Sequence, residues 1–174
     1  MKRYLNSIKQ LKKPKAFWDE YYDRKKNSKD NYQEVDLRGG FQAIVPTSLM
    51  SAFDEVFLRE VYSGEYNIKP DATIVDIGAN VGYFSLYAFK HFKPSRLIAF
   101  EPMPFNCKLL EKHKDLNNLK ALEVIQKAVA STSNEIEIGY NESLDFSVGA
   151  SMLNRQASDK TIKVPALSLD EVLK

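Results

Sequence analysis

The sequence predicts an α/β domain in which a mostly parallel sheet is covered by helices. The 174 residues are 44% hydrophobic and 28% charged, which is typical of a globular protein large enough for one core. From residue 73 onwards, short β-branched runs alternate with helical patterns, and the links between them are short. That alternation is typical of parallel strands joined by crossover helices.

The first 33 residues are predicted to form a basic arm ahead of this domain, which we assign to residues 34–174. Residues 1–30 hold ten Lys or Arg against four Asp or Glu. A basic arm suits nucleic acid, an anionic membrane or an acidic protein surface, or it is simply a solvated face. No nucleic-acid-binding module accompanies the arm, so we favour the solvated face and expect no nucleic-acid partner.

Two short helices are predicted within the arm. Apolar residues recur at helical spacing over residues 3–12, and Pro14 interrupts the pattern. A second apolar stripe follows at i, i+4 spacing, and it consists of Phe17, Trp18, Tyr21 and Tyr22. Such a stripe binds a partner or substrate, or it docks the arm onto its own domain, and docking is the more common use.

A β-hairpin over residues 34–46 is predicted to open the domain. Apolar and polar residues alternate on both sides of a Gly-Gly turn, which is the usual hairpin pattern. Ser51 and Asp54 then resemble a capping box, and they predict a helix that runs to about Tyr62.

A nucleotide-binding core is predicted over residues 70–130. Its strands are short apolar runs, and its helices are apolar nearly all round or at helical spacing. The predicted strands are Thr73–Ile77, Arg96–Phe100 and 122–127, and the predicted helices span 82–92 and 104–116. Two further extended runs, at 135–139 and 162–167, flank a polar loop at 141–160.

The glycine-bounded loop at 78–82 is the first candidate ligand site. It follows a predicted strand and opens a predicted helix, so its backbone N–H groups face a ligand at the carboxyl end of the sheet. A dinucleotide site has glycine where this chain has Asn80, and a phosphate-binding loop carries a lysine, which is absent here. Asp76 disfavours pyrophosphate and suits the cationic chain of S-adenosylmethionine (SAM).

Glu101 is the second candidate, because it ends the next predicted strand. It lies 23 residues after Gly78, close to the offset of the ribose-binding acid in nucleotide folds. A carboxylate there accepts charge-assisted hydrogen bonds from two ribose hydroxyls, with Pro102 and Met103 at the edge of an adenine slot. The alternative is that Glu101 is a charge favoured at the N-terminus of the following helix.

Together, these segments resemble the FkbM family of SAM-dependent methyltransferases. The resemblance is carried by DIGANVGYF at 76–84, AFEP at 99–102 followed by Asn106, KAV at 127–129 and VPALSLD at 164–170. It spans roughly residues 70–174. The combination of D-x-G-A-N-x-G with E-P is far more specific than either half alone.

The resemblance implies a Rossmann-like class I methyltransferase fold with helices on both faces of the sheet. It also implies methyl transfer from SAM to a hydroxyl of an acceptor, typically a sugar, a glycolipid or another small metabolite. The candidate cofactor residues are Asp76, Gly78, Ala79, Asn80, Gly82, Tyr83, Phe84, Glu101, Pro102, Met103 and Ala128.

The chain departs from the family pattern at its end. A strand with a K-x-D-x-E-G motif is expected there, but the sequence stops at Lys174. We therefore expect the fold to be incomplete at the C-terminus, with strand Thr73–Ile77 exposed as a sheet edge. That edge is expected to pair with another copy, to be covered by the segment at 162–167, or to belong to a longer protein.

No general base can be assigned, so the alternative to a methyltransferase is a non-catalytic SAM-binding or interaction protein. Asn80 argues against a third class, the nicotinamide-dependent oxidoreductases. His91, His113 and Cys107 are predicted to be packing residues, and no metal site is predicted. Candidates for contact with the acceptor are Tyr140, Asp145 and Ser151, which belong to the polar loop or its start.

The single cysteine cannot form an internal disulfide, which fits a reducing compartment. The basic N-terminus lacks the apolar core of a signal peptide, and no apolar run approaches the ~20 residues of a membrane span. We therefore expect a cytoplasmic protein without a transmembrane segment.

Overall fold

The computed structural model describes residues 2–27, 32–64, 66, 68–69, 71–131, 134–140 and 160–173. The N-terminal elements are helices α1 (Lys2–Gln10) and α2 (Pro14–Asn27), strands β1 (Tyr32–Asp36) and β2 (Gln42–Pro46), and helix α3 (Met50–Phe53). The central elements are β3 (Thr73–Ile77), α4 (Tyr83–His91), β4 (Arg96–Phe100), α5 (Pro104–Leu116) and β5 (Leu122–Ile125). The last elements are β6 (Ala128–Ala130), β7 (Glu135–Tyr140), β8 (Lys160–Ser168) and α6 (Leu169–Val172).

The central sheet is parallel, with strand order β3-β4-β5. In its register, Thr73 lies opposite Arg96 and Leu97 lies opposite Leu122. Its buried face, which includes Leu97, Ala99 and Leu122, shares one core with α4 and α5. The crossovers β3-α4-β4 and β4-α5-β5 both lead to the next strand in the same direction along the sheet. Because such crossovers are right-handed, α4 and α5 lie on the same face of the sheet. The α/β prediction is confirmed, but among the described residues these two helices cover one face, not both.

The opposite face of the central sheet is more open. Val75 and Ile98 are partly buried there, and Ile77 is 51% exposed. Arg96 and Glu123 form an ion pair across this face, with 2.6 Å between Nη2 and Oε2. The face therefore combines apolar strand residues with an exposed ion pair.

The C-terminal segment at 162–167 does not cover β3. It lies in β8, which pairs with β6 in parallel and with β7 in antiparallel. That expectation was wrong because the chain leaves the central sheet after Ile125 and builds a separate three-stranded sheet. The third strand, predicted at 122–127, ends two residues earlier at Ile125, and β6 begins only at Ala128.

The capping box predicted at Ser51 and Asp54 is also wrong. The helix is preceded by a 3-10 turn at Thr47–Leu49 and continues into a wide π-helical turn at Asp54–Leu58, so it ends before Tyr62. The Asp54 carboxylate is almost fully buried, and it binds Nε of Arg3 at 2.7 Å and Nε of Arg59 at 2.9 Å. A carboxylate held by two guanidinium groups is not available to cap a helix.

The basic arm docks onto the domain through its aromatic stripe, as predicted. Phe17 is buried in the main core, with its ring centroid 5.5 Å from that of Phe53. The predicted hairpin forms from β1 and β2, and Val35 lies opposite Ala43 in its antiparallel pairing. No helix in the described part of the chain is both long and apolar enough to cross a membrane.

Gly82 fixes the distance between the loop after β3 and helix α5. Its φ of 86° lies in the left-handed region, and a Cβ built on it would overlap Cδ1 of Leu110. Only glycine satisfies both conditions, so the loop packs directly against the helix.

We expect Gly82→Ala to lower the free energy of unfolding by about 2–4 kcal/mol, through backbone strain and overpacking together. Gly40 is the matched control, because it has the same φ of 86° with no atom within 4 Å of its built Cβ. Gly40→Ala should cost only about 1 kcal/mol. Urea unfolding measures both variants, and equal losses would show that Leu110 contributes nothing.

Candidate functional site

The loop after β3 is fastened to the carboxyl end of β4. The N–H groups of Gly78 and Ala79 both donate to the carbonyl oxygen of Phe100, at 2.8 and 2.9 Å. Gly78 has a φ of 76°, and a Cβ built on it meets nothing within 4 Å. The backbone at Gly78 therefore faces open space at the edge where ligands of such sheets bind.

Asn80 makes the turn of this loop. It adopts a left-handed φ of 51°, which asparagine tolerates better than most residues. Its Oδ1 accepts from the N–H of Val81 at 2.7 Å, and its own N–H donates to Oε2 of Glu101 at 2.8 Å. The residue that separates this loop from a dinucleotide motif thus has a structural role of its own.

Glu101 is buried and joins the loop to the start of α5. Its Oε1 accepts from the N–H of Met103 at 3.0 Å and from Nδ2 of Asn106 at 3.1 Å. Together with Asn80, these donors occupy three of the roughly four acceptor positions of a carboxylate. With respect to the described residues, one position on Oε2 is left, so two simultaneous ribose bonds would require one of the three protein bonds to open.

The contacts of Glu101 also match the alternative interpretation, a charge at the N-terminus of a helix. Met103 precedes the first residue of α5, and its N–H donates to the carboxylate. Burial raises the pKa of Glu101 even though all three hydrogen bonds act in the opposite direction. A ribose contact is compatible with this helix-end role, and it stays a prediction.

Asp76 is a second buried acid close to the loop. Its Oδ2 accepts from the hydroxyl of Ser85 in α4 at 2.7 Å. Burial is the main reason that the pKa of Asp76 is raised to about 6; the hydrogen bond from Ser85 lowers this pKa, and the charge of Glu101 contributes to raising it. Two acids within electrostatic range of each other repel an anion and stabilise a cation.

His113 has a larger role than the packing function predicted for it. The imidazole is fully buried, with Nδ1 2.7 Å from the carbonyl oxygen of Val81. Its Nε2 accepts from the N–H of Ile44 at 2.8 Å, which places the ring proton on Nδ1. Burial lowers the pKa of His113 to about 4, so the ring is neutral. It connects the loop after β3 to the β1–β2 hairpin.

Several of the predicted cofactor residues are buried by other parts of the protein. The hydroxyl of Tyr83 donates to the carbonyl oxygen of Ile44 at 3.0 Å, away from the sheet edge. Met103 and Ala128 lie in a second core with β7 and β8. Ala79 is buried, whereas Phe84 and Pro102 are partly exposed. Cofactor contact by these residues stays a prediction, and for Met103 it would require the second core to open.

The remaining candidates are outside this edge or unreactive. Burial raises the pKa of Cys107 to about 12, which disfavours a nucleophilic role. Tyr140 packs against Phe105, with ring centroids 6.0 Å apart, whereas Asp145 and Ser151 lie outside the described residues. No group of three or more metal-binding side chains occurs in the described ranges.

Comparisons with curated proteins agree with the methyltransferase motifs. The chain is 29% identical over 104 residues to methyltransferase sdnD of Sordaria araneosa, covering 59% of this chain and 40% of that protein. It is 33% identical over 76 residues to methyltransferase 1 of Beauveria bassiana, covering 41% and 30%. The similarity to methyltransferases that the motifs predict is confirmed, although the chain spans less than half of either relative. No family model matches the chain.

A third relative belongs to a much larger protein. The antimetabolite synthetase AmbE of Pseudomonas aeruginosa is 36% identical over 77 residues, which cover 42% of this chain and 4% of that protein. Among solved structures, FkbM methyltransferase of Methylobacillus flagellatus gives a TM-score of 0.40 at 15% identity, covering 74% of this chain and 34% of that one. TYW2 of Pyrococcus horikoshii, in complex with MeSAdo, gives 0.45 at 21% identity, covering 57% and 37%.

The two shifted pKa values have opposite effects on stability. Between pH 6.5 and 4, the unfolded chain protonates His113 and the folded chain does not, so acid removes about 3 kcal/mol of stability. Between pH 6 and 3.8, the folded chain protonates Asp76 and the unfolded chain does not, so acid adds about 3 kcal/mol. The two contributions nearly cancel across this window.

Replacing Asp76 with Asn should remove the contribution of Asp76 to the pH dependence of stability and leave that of His113. We expect the free energy of unfolding of Asp76→Asn to fall, relative to the parent protein, by about 3 kcal/mol from pH 6.5 to pH 4. Urea unfolding at half-unit pH steps measures the difference. Parallel profiles for Asp76→Asn and the parent would contradict the assignment.

Proposed function

We propose that this chain binds SAM at the carboxyl ends of β3 and β4 and forms the cofactor-binding part of a methyltransferase. The observation that carries the proposal is the open space at Gly78 beside two buried acids, Asp76 and Glu101. An approachable backbone next to negative charge suits a nucleoside that carries a cationic chain instead of phosphates.

The same geometry disfavours a dinucleotide. Pyrophosphate would approach the loop in the field of Asp76 and Glu101, which raises its electrostatic energy. The position that is glycine in dinucleotide motifs holds Asn80, whose side chain is engaged with Val81. These two features support SAM over a nicotinamide cofactor.

Three residues would share the binding of SAM. Gly78 allows close approach of the ligand to the main chain, Glu101 offers its remaining acceptor position to a ribose hydroxyl, and Asp76 balances the cationic chain. When bound, SAM supplies an electrophilic methyl group on a sulfonium. The protein then has to orient an acceptor oxygen towards that methyl group and exclude water.

The proposed acceptor is a hydroxyl of a sugar, a glycolipid or another small metabolite. This part of the proposal is supported by the FkbM-type motifs at 76–84 and 99–102. We assign the methyl transfer to the complete active site and the cofactor binding to this chain, because its methyltransferase relatives are more than twice as long as the matched segments.

A second candidate function is SAM binding without catalysis, combined with association through a sheet edge. Within the described residues, β3 pairs only with β4, and its other edge has no partner strand. An edge of this kind is a template for another strand, supplied by a second copy or by another protein.

The first test concerns ligand choice. We expect SAM and S-adenosylhomocysteine to raise the melting temperature and NAD to leave it unchanged, because binding to the folded state alone stabilises it. Stabilisation by NAD alone would contradict the proposal. Transfer of a labelled methyl group to a panel of sugar and glycolipid hydroxyls would support the first candidate and exclude the second. SAM binding together with self-association of the chain, measured by size-exclusion chromatography with light scattering, would support the second.

The second test concerns Glu101. Glu101→Ala should weaken SAM binding by about 1.5–3 kcal/mol, the usual contribution of a hydrogen bond to a charged group, and Glu101→Gln should retain part of the affinity. Asn106→Ala is the control, because it removes one donor to Glu101 and leaves the carboxylate in place. Calorimetry and thermal unfolding are measured together, and unchanged affinity in Glu101→Ala would leave only the helix-end role.

A further inference from the structure

Helix α1 is oriented opposite to an ordinary surface helix. The side chains it buries are polar, namely Asn6, Ser7 and Gln10. Three of the side chains it exposes are large and apolar: Tyr4 is 51% exposed, Leu5 52% and Ile8 40%. These three residues, the α1 stripe, lie on one helix face because Ile8 follows Leu5 by three residues and Tyr4 by four.

Directional polar contacts hold the helix in this orientation. Nδ2 of Asn6 donates to the carbonyl oxygen of Leu58 at 2.9 Å, and the indole N–H of Trp18 donates to Oγ of Ser7 at 3.0 Å. At the two ends of the helix, Arg3 binds Asp54 at 2.7 Å and Nε2 of Gln10 donates to Oε1 of Glu60 at 2.6 Å. Rolling the helix to bury the α1 stripe would break these bonds, so its exposure belongs to the fold.

Positive charge surrounds the α1 stripe. The first 18 residues contain no Asp or Glu, and their basic residues are Lys2, Arg3, Lys9, Lys12, Lys13 and Lys15. Arg38 adds a cation at the far end, because its Nε donates to the carbonyl oxygen of Ile8 at 2.9 Å. The outward surface is therefore apolar at its centre and basic at its margin, rather than the solvated basic face expected from the sequence.

We propose that the α1 stripe docks the protein onto an anionic lipid surface. A helix with apolar residues on its outer face and basic residues around them lies in the plane of a membrane, with its apolar side chains at the acyl boundary and its cations among the headgroups. The proposal is independent of SAM binding, which we place at the carboxyl ends of β3 and β4 and which involves none of these residues.

Charge complementarity favours lipid over other occupants. A nucleic-acid backbone would pair with the lysines but leave Tyr4, Leu5 and Ile8 without an apolar partner. A second copy meeting this face symmetrically would bring two basic margins together, and they would repel each other. An anionic bilayer satisfies the apolar centre and the basic margin at once.

The test is sedimentation of the full chain with vesicles. We expect binding to phosphatidylcholine vesicles that contain phosphatidylglycerol, weaker binding to pure phosphatidylcholine, and loss of binding at high salt. Leu5→Ser combined with Ile8→Ser should weaken binding at least about tenfold. The matched control is Leu169→Ser combined with Leu173→Ser, which removes two exposed leucines from the α6 region and should bind like the parent.

A second variant tests the basic margin separately. Lys9→Glu combined with Lys12→Glu should abolish the preference for anionic vesicles, because both lysines are exposed and next to the stripe. Thermal unfolding of every variant confirms that the fold is retained. Four results would overturn the proposal: no vesicle binding by the parent, parent-like binding by the Leu5/Ile8 variant, binding of duplex DNA or RNA but not of vesicles, or a parent dimer that this variant dissociates.

Discussion

The geometry at the carboxyl ends of β3 and β4, the proposed SAM edge, depends on one buried hydrogen-bond acceptor, the carboxylate of Glu101. It receives the N–H of Asn80 from the loop after β3, and the N–H of Met103 and the amide of Asn106 from the start of α5. Removing it would leave buried donors unpaired, at a cost of about 1–3 kcal/mol each. The same bonds limit what Glu101 can offer a ligand, so its structural role and its proposed binding role compete for the same lone pairs.

Helix α5 supports the site as much as the glycine loop does. Asn106 binds Glu101, Leu110 packs against Gly82, and His113 binds the carbonyl of Val81. These residues are spaced four and three apart, so they form one face of the helix. One helix therefore positions the Glu101 carboxylate and the loop after β3. Through the bond between His113 and Ile44, it also positions the hairpin. Substitutions along this face are expected to affect several of these contacts together, so their effects should not add.

The sequence predicts the central strands, the hairpin and the loop well because apolar periodicity and glycine report local structure directly. It does not predict polar partners that are distant in the chain. His113 binds groups 32 and 69 residues away, and Arg3 binds Asp54 across 51 residues. Periodicity identifies α1 as amphipathic but does not show that its polar face is the buried one, because the groups beneath that face require hydrogen-bond partners. The predicted adenine-slot residue Met103 is buried for a similar reason: no local pattern shows that β6, β7 and β8 form a second core.

The position of Trp18 has a spectroscopic consequence. It is the only tryptophan of the chain, and it is largely buried between the two arm helices, with the guanidinium of Arg3 5.3 Å from the ring centre. Intrinsic indole emission therefore comes from the arm alone. Detachment of α1 would remove Ser7 and Arg3 from the ring and admit water, shifting the emission to longer wavelength. Tryptophan fluorescence therefore reports the position of the arm without a label, and the proposed SAM edge contributes no tryptophan emission.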